Sequence, residues 1–147
     1  MGVTADALLD SLSSVRRALR RTSRRPGELA ALTGAQLELV RLLRRRPGVT
    51  VAAAARELRV AGNTVSTLVT RLAEAGVVVK RADPADRRVA HLDLSPRARR
   101  TVEAWRDRRV EHLERALARL SAAERATLDD AGIVLDRLSR LLEEDEA

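Results

Sequence analysis

Apolar residues recur along the chain with two periods. Leu8, Leu12, Val15 and Leu19 lie on one helical face, while Arg16, Arg17, Arg20 and Arg21 occupy the other. The stretch from Ser23 to Gly27 interrupts this pattern, with Pro26-Gly27 as the strongest stop signal. Thr33 and Gln36 stand at capping-box spacing and predict a second helix that buries Leu37, Val40 and Leu43 before Pro47-Gly48 ends it. Thr50 then opens a short alanine-rich helix, Ala52 to Leu58. After a turn around Val60-Ala61-Gly62, a further helix runs from Asn63 to Ala75 and stops at Gly76, where a left-handed residue ends many helices.

The next stretch changes period. Val77-Val78-Val79-Lys80-Arg81 is short and β-branched, and residues 88–94 alternate apolar with polar. The turn formers Ala82 to Arg87 separate them, so the pair predicts a β-hairpin. Ser95 caps the next helix, with Pro96 in its first turn. Val102, Trp105, Leu113, Leu117 and Leu120 give that helix an apolar stripe. Ser121 and Glu124 form a second capping box, and Leu128, Ala131, Leu135, Leu138 and Leu142 line one face of a last helix. No internal repeat or linker divides the sequence, so a single domain over 1–147 is expected, mainly α with a small β-hairpin (α+β). A helix–turn–helix followed directly by a basic hairpin is the order of a winged helix. Its second helix fits the DNA major groove, and its wing fits the neighbouring minor groove.

Composition sharpens that expectation. A 45% hydrophobic fraction within 147 residues suits one folded domain and argues against disorder despite 33% charged residues. The net charge of +7 is uneven: residues 1–30 carry +3, residues 31–100 carry +8 and residues 101–147 carry −4. A GC-rich genome explains arginine over lysine (Lys80 is the only lysine), but it does not explain a change of sign along the chain. A basic centre is the electrostatic footprint of phosphate binding. The absence of cysteine excludes disulfides, thiolate metal sites and thiol sensors. No apolar run approaches the roughly 20 residues of a membrane span, and no secretion signal opens the chain, so a cytoplasmic protein that does not engage membranes is expected.

The segment from Leu32 to Val102, and above all NTVSTLVTRLAEAGVVVKRADPADRRVAHLDLS, resembles the MarR family of bacterial winged-helix transcription regulators. The resemblance implies a DNA-binding lobe over 33–95, dimerisation helices over 1–30 and 96–147, and a homodimer on pseudo-palindromic double-stranded DNA, acting as a repressor. On the helix from Asn63, Val65, Leu68, Val69 and Leu72 fall on the inner face. Gly62, Asn63, Thr64, Ser66, Thr67, Thr70 and Arg71 are left for DNA. In the wing, Asp86 and Arg88 match the family's Asp-x-Arg, with the aspartate steadying a minor-groove arginine and Arg81 and Arg87 beside it for phosphates. Two positions depart from the family pattern. Ala61 stands where a serine cap is common, leaving Asn63 to cap in part, and Thr67 stands where many relatives carry arginine. A small-molecule effector in a cleft is also implied, aromatic or anionic in chemistry. Trp105 is either part of that pocket or dimer packing.

Other readings rest on less. Arg44-Arg45-Arg46 suits either phosphate contact or a solvated helix end. His112 with Glu111 and Glu114 is too small a ligand set for a metal, and no nucleophile–base pair with a glycine-rich turn is present. Neither enzyme activity nor a cofactor is therefore expected. The rival reading is a non-enzymatic helical dimer that binds an acidic protein. The Asp86-x-Arg88 wing separates the two, because such a dimer does not need it.

Overall fold

The computed structural model describes residues 2, 4–22 and 24–144; Ser23, the expected start of the first interruption, and the extreme ends of the expected 1–147 domain lie outside them. The chain forms two compact units, 1–109 and 110–147. In the first, α1 (Ala5–Thr22) and a short 3-10 turn (Gly27–Leu29) precede α2 (Gly34–Arg45), β1 (Val49–Thr50), α3 (Val51–Leu58) and α4 (Gly62–Glu74). The strands β2 (Val78–Ala82) and β3 (Ala90–Leu94) follow, and then the long helix α5 (Pro96–Leu117) begins.

The capping box at the start of α2 is present: Thr33 Oγ1 accepts from the Gln36 amide at 3.3 Å, and Gln36 Oε1 accepts from the Thr33 amide at 2.9 Å. Thr50 caps α3 by accepting from the Ala53 amide. No side-chain hydrogen bond caps α4 at Ala61, and Asn63 does not supply one, contrary to expectation. Asn63 already lies inside the first turn, beyond the position from which a cap side chain reaches back to the N2 or N3 amide. The turn between α3 and α4 passes through Arg59, whose left-handed φ of 53° ends α3.

The sheet has three strands rather than two, in the order β1-β3-β2. β1 is only two residues long and pairs Val49 with Leu92 and Thr50 with His91. The wing's second strand begins at Ala90, so Arg88 and Val89 belong to the turn and not to the expected strand over 88–94. Asp83 and Asp86 account for this. Asp83 Oδ1 accepts from the Ala85 and Asp86 amides at 2.8 and 3.1 Å, and Asp86 Oδ1 accepts from the Arg88 amide at 3.0 Å. These Asx turns satisfy the turn amides locally, while the Asp83 amide donates across the hairpin to the Val89 carbonyl at 2.9 Å.

The core lies under α4. Leu39, Val40, Leu42 and Leu43 of α2 pack in one cluster with Val65, Val69 and Leu72 of α4, Val77, and Leu92 of β3. One charged residue is buried there, Asp93. Its Oδ1 accepts from the Gly48 amide at 2.9 Å, its Oδ2 accepts from Arg81, and Arg99 stands 3.9 Å away. A buried carboxylate is tolerated when it is partnered in this way, and here it ties the turn before β1 to β2 and α5. Ser95 caps α5 through the Ala98 amide and donates to the Gly76 carbonyl at 2.8 Å, which joins the end of α4 to the start of α5. On α1, Leu9, Leu12 and Val15 are exposed.

The second unit contains the last turns of α5 and α6 (Ala122–Glu144). Ser121 and Glu124 form the expected capping box, with Glu124 Oε2 accepting from the Ser121 amide at 2.8 Å and Ser121 Oγ accepting from the Glu124 amide at 3.3 Å. The Ser121 amide, then the Ser121 hydroxyl, both donating to Oε2, hold the Glu124 carboxyl below its usual range. α5 stops at Leu117, so Leu120 lies in the turn and not on the helical stripe. No described residue of α6 is buried; Leu128, Ile133, Val134, Leu141 and Leu142 are exposed. No helix among the described residues is long and apolar enough to cross a membrane.

Candidate nucleic-acid interface

α4 divides cleanly into two faces. Val65, Val69 and Leu72 are buried, while Gly62, Asn63, Thr64, Ser66, Thr67, Thr70 and Arg71 are all exposed, as expected from helical spacing. The hydroxyls along the exposed row bond back into the helix. Ser66 donates to the Gly62 carbonyl, Thr67 to that of Asn63 and Thr70 to that of Ser66, each at 3.0 Å.

The wing presents its arginines differently. The Arg88 side chain is 95% exposed, with Nε 3.6 Å from Asp86 Oδ1. Asp86 thus accepts from the Arg88 amide and stands within ion-pair distance of its guanidinium. Arg87 is exposed on the same turn. Arg81 lies on β2 with one guanidinium nitrogen on Asp93, while most of its side chain remains accessible. Of the Arg44–Arg46 run, Arg46 pairs with Glu57 of α3.

His91, to which the sequence assigns no role, braces the wing. Its Nδ1 lies 2.8 Å from the Gly48 carbonyl and its Nε2 lies 2.8 Å from Asp83 Oδ2. Both neighbours are acceptors, so the imidazolium, which donates from both nitrogens, satisfies the site. The hydrogen bond to Asp83, then that to Gly48, raises the His91 pKa above its ordinary range, against desolvation and the nearby Arg81 charge. The His91 bond, followed by the Ala85 and Asp86 amides, lowers that of Asp83. A raised histidine stabilises fully below its unfolded value of ~6.5, and that stability is lost as pH rises through the folded value. A lowered aspartate stabilises above its unfolded ~3.9, and that stability is lost as pH falls through the folded value. The brace is therefore strongest in mildly acidic solution. An NMR titration is expected to place the His91 midpoint above ~6.5, with Asp83→Asn lowering it; a midpoint unmoved by that substitution would show the contact to be absent in solution.

A cleft of about 660 Å³ lies elsewhere in the first unit. Arg16, Arg20, Arg24, Arg25, Arg41 and Arg109 line it together with Trp105, Leu37 and one carboxylate, Glu38. Glu38 is already paired with Arg41. Arg109 lies 5.0 Å over the Trp105 ring, and burial, then the Arg41 charge, holds its pKa below the usual guanidinium range. Trp105 itself is buried, so within this unit it belongs to both the core cluster and the cleft wall. Arg41 and Arg109 carry no sequence signal for this role, because they lie far apart in the chain and share a cleft wall only in the folded unit.

Residues 32–89 match the MarR family. No curated protein sequence matches the chain. The fold is similar to that of RV1404 from Mycobacterium tuberculosis, at 22% identity over 93% of this chain and 95% of that one, with a TM-score of 0.79. It is similar also to Streptococcus pneumoniae FabT solved in complex with DNA (22% identity, 96% and 99% covered, TM-score 0.77). A third similar structure is the Streptomyces coelicolor transcriptional regulator PcaV with its natural ligand (23% identity, 95% and 98% covered, TM-score 0.61). At these identities the likeness is one of fold. Together, the helix–turn–helix, the three-stranded sheet and the Asp86–Arg88 turn give the chain the form of a winged helix, and residues 32–89 of it are similar to the MarR family.

Proposed function

We propose that the chain is a sequence-specific DNA-binding transcription regulator that acts as a homodimer on a pseudo-palindromic operator. The observation that carries this reading is the pairing of an exposed polar row on α4 with a wing that projects Arg88 almost fully into solvent, steadied by Asp86. Lobe 33–95 binds DNA, with α4 presenting Gly62, Asn63, Thr64, Ser66, Thr67, Thr70 and Arg71 to the major groove and the phosphates that flank it. Arg88 enters the minor groove, and Arg81 and Arg87 hold phosphates. Segments 1–30 and 96–147 dimerise, and the uncovered apolar residues of α1 and of α6 support this. A dimer that occupies a promoter represses by exclusion and needs no further contact surface, in the bacterial cytoplasm where the DNA lies.

The arginine-lined cleft supports a small organic anion as effector, since guanidinium groups bind carboxylates in bidentate fashion. Selection from a random duplex pool tests the regulator reading: an inverted repeat with half-sites about one helical turn apart is expected. Failure to enrich any sequence, with equal binding to an acidic polypeptide, would overturn it. Trp105 is the only aromatic residue, so in the same preparation its fluorescence is expected to change on adding benzoate.

A further inference from the structure

We infer that the major-groove half-site read by α4 is built on A·T pairs and contains no guanine recognised by a side chain of that helix. This rests on the proposed docking of α4 in DNA and names the bases that the docked face fits. In the major groove guanine offers only acceptors, N7 and O6, so reading it requires a donor. The hydroxyl hydrogens of Ser66, Thr67 and Thr70 are engaged by carbonyls one turn earlier. Towards a base these groups present acceptor lone pairs, and the two threonines also present methyls held by the back-bonded rotamer. An acceptor fits the N6 amino group of adenine or the N4 amino group of cytosine, and a methyl fits the C5 methyl of thymine. A T·A pair supplies both features side by side, whereas a C·G pair supplies only the amino group.

Three donors remain on the exposed face, and one of them, the Thr64 hydroxyl, is turned to Asn63 Oδ1 at 3.5 Å. The Asn63 amide, at the N-terminal end where base contacts are made, has the donor–acceptor pair that matches adenine N6 and N7. Arg71 lies in the last turn of α4, some 13 Å along the helix from Gly62 at about 1.5 Å per residue, which suits a phosphate. The wing points the same way, because an arginine in the minor groove favours the narrow grooves of A·T tracts.

The full chain would be tested by duplex selection, followed by affinity measurements on the enriched site. A·T pairs are expected under α4. Replacing each contacted thymine by deoxyuridine removes one methyl and is expected to weaken binding about four-fold per contact. Substituting C·G there should weaken binding further, and 5-methylcytosine should recover part of the loss. Thr67→Arg adds a guanine reader on an exposed position and is expected to shift the selected half-site towards a G·C pair, with an unchanged circular dichroism spectrum as the check on folding. A wild-type half-site with an invariant G·C pair under α4, or affinity indifferent to the thymine methyls, would overturn the inference while leaving the regulator reading intact. Failure to enrich any duplex would overturn both.

Discussion

Replacing Arg88 with alanine removes one groove contact per wing of the proposed dimer, each worth roughly 1–3 kcal/mol, and is expected to weaken operator binding by about thirty-fold or more. The salt dependence should flatten at the same time. Each neutralised phosphate contributes a slope of about 0.9 in log affinity against log salt, so a dimer losing one contact per wing should lose nearly two. Folding should be untouched, because the side chain is 95% exposed and its ion-pair partner, Asp86, keeps its bond to the turn backbone. Titration of labelled operator at several salt concentrations reads both effects. An unchanged affinity and slope would remove the wing from the interface and return the basic hairpin to the rival reading, an acidic protein partner.

Replacing Leu72 with alanine should act through stability instead. Leu72 is fully buried beneath α4 in the cluster that also holds Val65, Val69 and Leu92. Truncating such a leucine removes transfer free energy and leaves a cavity, for about 2–5 kcal/mol. Single domains of this size are stable by roughly 5–15 kcal/mol, so the loss is a large fraction of the whole. Denaturant unfolding at fixed protein concentration measures it, since the midpoint of the proposed homodimer would depend on concentration. A loss below about 1 kcal/mol would mean that α4 is not seated on this core. The two substitutions should separate cleanly, with Arg88→Ala changing binding at constant stability and Leu72→Ala changing stability first.

Helix positions, most caps and the two faces of α4 are legible in the residues because they depend on neighbours within four positions. The Thr33–Gln36 and Ser121–Glu124 boxes are of this kind, and so is the spacing that buries Val65, Val69 and Leu72 while exposing Thr67. Where local signals compete, the outcome is less legible. Alternation extends a strand back to Arg88, but Asp83 and Asp86 capture the turn amides and the strand begins at Ala90. Asn63 looks like a cap because amides favour caps, yet α4 starts at Gly62 and places it two residues too deep.

By itself the sequence determined the helix–turn–helix and wing, the outward row from Asn63 to Arg71, and the Asp86–Arg88 pair, two residues apart. Tertiary structure alone decided the third strand, the His91 brace, the Asp93 hub and the arginine cleft. β1 is too short for its period to show, and its partner Leu92 lies far along the chain. His91 meets Gly48 across 43 positions, and Asp93 meets the same glycine across 45. Such pairings carry no periodicity, because nothing between the partners constrains them until the core under α4 closes and brings the two segments together.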